Sequence, residues 1–184
     1  YYKIIEWEAS NISYSTNLME TTWKQIQKQK NIRSGEFRLP ASKDLMQHSI
    51  EFPIKSLPVG KYTLVVYTDD IEKNIHKGKF TTSTFYVTDL SVLLRENEDN
   101  ITISIKDRIT GQPIQQAQVE VFIKQNRSDD KSILTAHTDM HGHVILPKGK
   151  LGQRANYYVE TKRGQDKYQS ATQYFYGHNY VEPK

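Results

Sequence analysis

The stretch from Asp107 to Val144 places the tightest limits on what this chain can fold into. A turn signal at Thr110-Gly111 separates two alternating apolar runs, and Pro113 removes a backbone donor where the chain leaves that turn. Alternation gives each run one face for a core and one for water. The two runs are Ile101, Ile103 and Ile105, and then Ala117, Val119 and Val121. The stretch therefore predicts antiparallel strands of a β-sandwich.

A second turn signal follows in Thr138-Asp139-Met140-His141-Gly142, just before the apolar Val144. The Asp139 side chain can bond the backbone of the turn, and Gly142 can adopt the positive φ that a tight connection requires. We therefore predict a hairpin at this position.

These two halves carry a family resemblance. The pattern Asp-x-x-Thr-Gly-x-Pro-x-x-x-Ala-x-Val-x-Val, followed by Thr-Asp-x-x-Gly, resembles the macroglobulin-like β-sandwich domains of the bacterial α2-macroglobulin family. The Leu-Pro-x-Gly-x-Tyr run from Leu57 to Tyr62 also resembles the hairpin before a late strand of such domains. Secreted immunoglobulin-like and carboxypeptidase-regulatory-like modules share the same turn signals.

Length and pattern predict an all-β fold made of two immunoglobulin/fibronectin-III-like antiparallel β-sandwich domains in tandem. Within the 184 residues, we place a macroglobulin-like sandwich at 1–88 and another at 89–184. The boundary at Val87 to Leu90 has no Gly, Pro or Ser spacer, which predicts little relative motion.

The strands follow from alternation and from Gly and Pro breaks. In the first half, Asn11 to Thr22 is predicted to be a loop, and Trp23–Lys30 a strand although Trp23 and Ile26 also fit helical spacing. The other predicted strands there are Ile4 to Trp7, a short edge strand at Phe37, Ile50 to Ile54, a central strand at Tyr62 to Tyr67, and Phe80 to Val87. In the second half they are Leu90 to Leu94, Ile101 to Ile105, Val119 to Ile123, Ile133 to His137, Val144 to Leu146, Tyr157 to Glu160, and Tyr174 to Tyr176.

Composition narrows the range of functions. The chain has no cysteine, so it contains no disulfide, thiol nucleophile or cysteine-ligated metal. Its net charge of +4 comes from interspersed charges without a dense basic cluster, so we expect no nucleic-acid partner. No apolar run is long enough to span a membrane, and we expect no membrane contact by this segment. The opening at Tyr1-Tyr2 suggests a segment of a longer exported protein.

One cluster has metal-ligand residue types: His137, Asp139, His141 and His143. Alternation would align these positions only if a strand ran straight through them, but Asp139 to Gly142 is the predicted turn. We therefore predict no metal site and no cofactor.

The sequence also gives no sign of catalysis. No Gly-x-Ser-x-Gly elbow and no Gly-x-x-x-x-Gly-Lys phosphate loop occurs. The carboxylates of Glu96, Glu98 and Asp99 fall in a polar stretch that is typical of a solvated hairpin tip rather than of a glycosidase pair. We predict no catalytic residue, and that the chain is not an enzyme.

Aromatic residues are concentrated towards the C-terminus and have two interpretations. They either form a platform for carbohydrate or protein, or pack the sandwich and a neighbouring domain, and the second interpretation is favoured because aromatic strands are common in sandwiches. The residues are Tyr157, Tyr158, Tyr168, Tyr174, Phe175, Tyr176 and Tyr180.

The family resemblance implies a non-catalytic scaffold segment of an extracytoplasmic protease inhibitor, in the periplasm or at the cell surface. In that family a protease cleaves a bait segment, the protein changes shape, and many members capture the protease through a Cys-Gly-Glu-Gln thioester. This chain lacks cysteine, so it cannot hold the thioester. The implied partners are other domains of the same longer chain, and proteases that the full-length protein binds. Two alternatives remain open: an adhesion or carbohydrate-binding module that uses exposed aromatics, and a module attached to an exported enzyme.

Overall fold

The computed structural model describes residues 1–6, 16–38, 44, 46, 48–125 and 128–177. The chain divides into two compact units, Tyr1–Val87 and Thr88–Lys184, called unit 1 and unit 2 below. This division falls one residue before the boundary that the sequence suggests. No helix among the described residues is long and apolar enough to cross a membrane.

The described part of unit 1 is one antiparallel sheet with two helices. Its strands are β1 (Tyr2–Ile5), β2 (Asn31–Gly35), β3 (Gly60–Tyr67) and β4 (Phe80–Val87), and its helices are α1 (Thr16–Lys28) and α2 (Asp70–Lys73). The strand order is β2-β1-β3-β4, so β3 lies between two neighbours, as predicted for a central strand.

The predicted strand at Trp23–Lys30 is wrong, because α1 extends to Lys28. Helical spacing places Thr22, Trp23 and Ile26 on one buried face of α1. Trp23 and Ile26 pack with Ile5 of the sheet. The predicted loop from Asn11 to Thr22 is wrong from Thr16 onward, where α1 begins, while residues 11–15 and Trp7 lie outside the described residues.

The strands predicted at Phe37 and at Ile50 to Ile54 are also wrong. The chain has no strand from 36 to 38 or from 48 to 59. Pro53 removes a ladder donor from the second segment, and Phe37 and Phe52 instead stack on each other with ring centroids 4.6 Å apart. Phe52 also contacts Tyr2 of β1, at 5.1 Å between centroids. The rings of Phe37 and Phe52 thus pack onto Tyr2 of the sheet, whereas the backbone of these two segments does not join it.

The described residues of unit 2 form a sandwich of two antiparallel sheets. Its strands are β5 (Leu90–Glu96), β6 (Asn100–Asp107), β7 (Gln118–Ile123), β8 (Lys131–His137), β9 (His143–Pro147), β10 (Arg154–Arg163), β11 (Asp166–Gln169) and β12 (Gln173–Tyr176), with a 3-10 helix at Lys148–Leu151. One sheet has the order β5-β6-β9; the other has the order β11-β10-β7-β8, with β12 also paired to β10. Every strand predicted for this half is present, and β11 is an additional strand that was not predicted.

One core fills the space between these two sheets. The β5-β6-β9 sheet contributes Leu90, Ile101, Ile103, Ile105, Val144 and Leu146, and the other sheet contributes Val119, Val121, Ala155, Tyr157, Val159 and Phe175. The inward positions are those that alternation along the strands indicates. The described part of the chain is nearly all β, with three antiparallel sheets, which confirms the predicted fold class.

Candidate functional site

The two halves of the Asp107 to Val144 stretch meet at Ile105. The Ile105 amide donates to the carbonyl of Gly142 at 2.8 Å, and the Ile105 carbonyl accepts from the Ile114 amide at 3.0 Å. Gly142 has a φ of +75°, and a Cβ atom there would lie 2.5 Å from the Ile105 carbonyl oxygen. Glycine is therefore required at this position both by backbone conformation and by the close approach of another strand.

Thr138 joins the same assembly from inside the core. Its side chain is fully buried, donates from Oγ1 to the Ile114 carbonyl at 2.6 Å and accepts from the Ala117 amide at 2.9 Å. The Thr138 hydroxyl thus satisfies two backbone groups where the chain leaves the Pro113 turn. The threonine of the motif has a structural role.

The aspartates of the motif hold the two turns. Asp139 Oδ1 accepts from the amides of His143 at 2.8 Å and His141 at 2.9 Å. Asp107 Oδ1 accepts from the Thr110 amide at 2.8 Å and the Thr110 hydroxyl at 2.9 Å. These bonds favour the charged carboxylate: the His143 amide is the main cause of the lowered pKa of Asp139, and the Thr110 amide is the main cause of the lowered pKa of Asp107.

The histidines around Asp139 are not grouped with it as ligands of one metal ion in the described part of the chain. The rings of His141 and His143 are 6.2 Å apart between centroids, and His137 is in β8, where it pairs with Gln118. Across the described ranges, no three His, Asp or Glu side chains are grouped so that they could hold a metal ion. The carboxylate of Asp139 is already used by the turn.

The carboxylates that resemble a glycosidase pair lie at the β5–β6 hairpin. Asn97 Oδ1 accepts from the amides of Asp99 at 3.2 Å and Asn100 at 2.8 Å, which closes the hairpin. Glu96 is exposed and pairs with Lys148 at 2.7 Å. The structure thus places these groups on a solvated hairpin tip.

Lys3 of β1 lies beside two aromatic rings of unit 1. Its ammonium lies 4.6 Å from the ring centroid of Trp23 and 5.5 Å from that of Tyr67. Burial lowers the pKa of Lys3, and the charge of Glu72 opposes this effect. Cation–π packing between sheet and helix accounts for the environment of Lys3 without a ligand.

The C-terminal aromatic residues separate into buried and exposed groups. Tyr157 and Phe175 face the core and are 5% and 6% exposed. Tyr158 is also buried, stacks on Phe122 at 5.2 Å between centroids, and donates from its hydroxyl to Asp130 Oδ2 at 2.9 Å. Burial and that bond raise the pKa of Tyr158. Packing therefore explains these three residues.

Two tyrosines of β12 remain accessible on the outer face of the sheet. Tyr174 is 65% exposed and Tyr176 is 47% exposed; we call them the β12 tyrosine pair. The guanidinium of Arg154, which is opposite Tyr176 in the β10–β12 register, lies 4.9 Å from its ring centroid. Tyr180 lies outside the described residues. The sequence could not identify Arg154, because its role depends on which strand pairs with β12.

The segment at the start of unit 2 is held by side chains from other strands. Arg108 donates from Nη2 to the Leu90 carbonyl at 2.8 Å and from Nε to the Thr88 carbonyl at 3.2 Å. Asp166 Oδ2 accepts from the Asp89 amide at 2.9 Å. We call Arg108 and Asp166 the entry anchor. No motif in the sequence marks it, since its members are far apart in the chain.

Comparisons with known proteins identify two solved structures with a similar fold. No protein-family model and no curated protein sequence matches the chain. Two crystal structures of native alpha-2-macroglobulin from Escherichia coli are similar to it. The structure spanning domains MG0-NIE-MG1 has a TM-score of 0.61 and 13% identity, over 92% of this chain and 53% of that one. The structure spanning domains NIE-MG1 has a TM-score of 0.60 and 12% identity, over 92% of this chain and 81% of that one.

The chain thus spans about half the length of the first of these structures. At 12–13% identity the likeness concerns the fold. The predicted resemblance is confirmed at that level: this chain has the fold of bacterial alpha-2-macroglobulin segments.

Proposed function

We propose that this chain is a non-catalytic scaffold segment of a bacterial macroglobulin-like protein, with two macroglobulin-like domains at 1–88 and 89–184. The observation that carries the proposal is the likeness to two Escherichia coli alpha-2-macroglobulin structures over 92% of the chain. A likeness that covers both units supports a scaffold made of successive domains more directly than a likeness limited to one sandwich would.

The chemistry of the motif supports the same proposal. Thr138 and Asp139 use their side-chain oxygens to satisfy backbone amides and carbonyls of their own unit. Gly142 is required by a close strand approach. Residues that occupy the most distinctive positions of the sequence therefore stabilise the sandwich, which is the task of a scaffold.

We propose further that the full-length protein inhibits proteases outside the cytoplasm, in the periplasm or at the cell surface. Its partners would be other domains of the same longer chain and the proteases that the full-length protein engages. This chain would contribute the positioning of those domains and would bind no cofactor.

The test compares the full-length protein with the 184-residue chain. Each is incubated with trypsin, chymotrypsin and subtilisin, and the residual hydrolysis of a protein substrate is measured. The proposal expects inhibition by the full-length protein and none by the chain on its own. Inhibition by the isolated chain, or a full-length protein without effect on any of the three proteases, would contradict it.

A matched pair of variants tests whether inhibition by the full-length protein requires unit 2 to be folded. Gly142→Val in the full-length protein forces a side chain against the Ile105 carbonyl, and we expect inhibition to fall together with the folding of unit 2. Met140→Ala in the same turn changes a side chain that is 67% exposed and should leave inhibition unchanged. Full inhibition by a Gly142→Val protein with unit 2 unfolded would argue against a scaffold role.

The β12 tyrosine pair supports a second candidate function, that of a binding or adhesion module. Tyr174 and Tyr176 present flat rings with polar tips at the surface of unit 2. A glycan array tests this candidate directly. The double variant Tyr174→Ser, Tyr176→Ser removes both rings, and Ile145→Ser, at a position that is 51% exposed, is its control. Glycan binding that the double variant loses and the control retains would favour the adhesion module.

A further inference from the structure

Two buried side-chain oxygens in the described residues lack a hydrogen-bond partner: Thr161 Oγ1 and Asp166 Oδ1. Thr161 is 2% exposed and Asp166 is 9% exposed. A buried polar oxygen without a partner is costly, and native proteins satisfy such atoms with protein groups or with ordered water.

Both oxygens belong to the same hairpin and to the same face of it. In the β10–β11 register Thr161 pairs with Tyr168, and Arg163 pairs with Asp166. Thr161 and Asp166 are therefore diagonal neighbours, with Cα atoms about 7–8 Å apart and Cβ atoms somewhat closer. Two hydrogen bonds of about 2.8 Å that meet at one water molecule span up to about 5.5 Å, which suits this spacing.

We propose that a buried water molecule bridges Thr161 Oγ1 and Asp166 Oδ1 and completes the entry anchor. The water donates to the Asp166 carboxylate, and it exchanges a second hydrogen bond with the Thr161 hydroxyl, which can donate or accept. The other oxygen of Asp166 holds the Asp89 amide at 2.9 Å. The water therefore fixes the orientation of the carboxylate that holds the chain where it enters unit 2.

The surrounding charges favour water over a metal ion. No three His, Asp or Glu side chains of the described residues are grouped around Asp166 as metal ligands. The guanidinium of Arg108 lies close to the same segment through its bonds to the Thr88 and Leu90 carbonyls. Arg108 also lies 5.6 Å from the ring centroid of Tyr168, the residue that pairs with Thr161. A fixed positive charge beside a site without grouped carboxylates disfavours a cation.

Water-selective NOE spectroscopy on the isotopically labelled 184-residue chain tests the proposal. We expect a cross-peak from a long-lived water to the Thr161 methyl group. Thr161→Val keeps the shape of the side chain but removes one of the two partners, so the cross-peak should disappear from the methyl groups at position 161. Thr161→Ser should retain a long-lived water at the same hairpin.

Hydrogen exchange provides an independent measurement. In the Thr161→Val variant the carboxylate of Asp166 is less firmly oriented, because the bridging water is lost. The amide proton of Asp89 should therefore exchange at least about tenfold faster in this variant than in the native chain. Thr102→Val, a change on β6 at a half-buried position, is the control and should not alter this rate.

Three results would overturn the proposal: no long-lived water near Thr161 in the native chain, unchanged exchange of the Asp89 amide in Thr161→Val, or a rise of Tm with added calcium that Thr161→Val abolishes. The last result would identify a cation instead of water. None of these measurements depends on protease inhibition, so they are independent of the proposed function.

Discussion

The phenol hydroxyl of Tyr62 donates a hydrogen bond of 3.0 Å to the backbone carbonyl of Pro58, four residues earlier. Gly60 lies beneath the same ring, where an added Cβ atom would be 3.0 Å from the Tyr62 hydroxyl oxygen. A tyrosine that bonds backwards to its own chain in this way is a recurrent corner of β-sandwich proteins. The Leu-Pro-x-Gly-x-Tyr run therefore has a physical basis: tyrosine closes the corner, and glycine gives its ring room.

Removing the hydroxyl of Tyr62 should weaken unit 1. Tyr62→Phe leaves the ring in place but deletes one hydrogen bond, so we expect a loss of about 1 kcal/mol in the free energy of unfolding. Both tryptophans of the chain, Trp7 and Trp23, are in unit 1, so tryptophan fluorescence during urea denaturation follows that unit. Tyr174→Phe, at an exposed position of unit 2, should leave this transition unchanged. An unaltered midpoint for Tyr62→Phe would show that the corner bond contributes nothing.

Gly142→Ala should destabilise unit 2 strongly. The φ of +75° disfavours an L side chain, and the new Cβ atom would be 2.5 Å from the Ile105 carbonyl oxygen, so we expect a cost above about 2 kcal/mol. Gly149 provides a matched control, because a Cβ atom there meets nothing within 4 Å. Differential scanning calorimetry should show a lower Tm for Gly142→Ala than for Gly149→Ala. Equal values would contradict the close approach at Ile105.

Replacing Thr138 by valine preserves the shape of the side chain and removes its two hydrogen bonds. The Ile114 carbonyl and the Ala117 amide then lose the Thr138 hydroxyl as their partner, at a cost of about 1–3 kcal/mol. Thr135→Val, at an exposed position of β8 three residues earlier, is the comparison. Chemical denaturation monitored by amide signals of unit 2 should separate the two variants. Similar stabilities would mean that the Thr138 hydroxyl is dispensable.

Unit 2 should lose stability in acid. The pKa values of Asp107, Asp130 and Asp139 are lowered, mainly by hydrogen bonds from the amides of Thr110, Gln125 and His143, respectively. A carboxyl group whose pKa is lower in the folded state stabilises the fold above its unfolded pKa, near 4, and this contribution disappears as pH falls through the folded pKa. The Tm of unit 2 should therefore decrease below about pH 4.

Asp139→Asn provides the check on this pH dependence. The amide oxygen of asparagine can still accept from the two turn amides but does not titrate in this range. We expect a shallower fall of Tm between pH 5 and pH 2 than in the native chain, in about the interval where the carboxylate would take up its proton. A fall as steep as that of the native chain would assign the acid sensitivity to other groups.

The packing of α1 on the sheet predicts a large effect at Ile26. This side chain is fully buried against Ile5, so Ile26→Ala should cost about 2–5 kcal/mol. Gln25→Ala changes the neighbouring exposed position and should be close to neutral. Tryptophan fluorescence again reports the result, since Trp23 packs in the same cluster. A small effect of Ile26→Ala would mean that α1 is not firmly docked.

The sequence predicts unit 2 well because its strands alternate cleanly and its turns contain residues with a defined backbone role. Asp107, Asp139 and Gly142 perform in the structure the turn functions that the sequence indicates. The missed strand β11 is only four residues long, and its Asp166 points inward to bond the Asp89 amide. A buried aspartate breaks the pattern by which an inward position is recognised.

The sequence pattern predicts the secondary structure of unit 1 less well than that of unit 2. Its helix α1 contains few apolar residues, and Thr22 completes a buried face that Trp23 and Ile26 indicate only weakly. The alternation from Ile50 to Ile54 matches the alternating burial of these side chains. It does not determine whether the backbone joins the sheet. Tertiary contacts decide between helix, strand and covering segment here, and one sequence does not contain that information in a local pattern.

The attachment of Thr88 and Asp89 to Arg108 and Asp166 determines how the protein can be dissected. A recombinant second half that starts at Leu90 would leave the guanidinium with only its bond to the Leu90 carbonyl, and would leave the carboxylate without the Asp89 amide. Starting the gene fragment at Thr88 or earlier keeps both bonds, whereas ending the first half at Val87 removes neither.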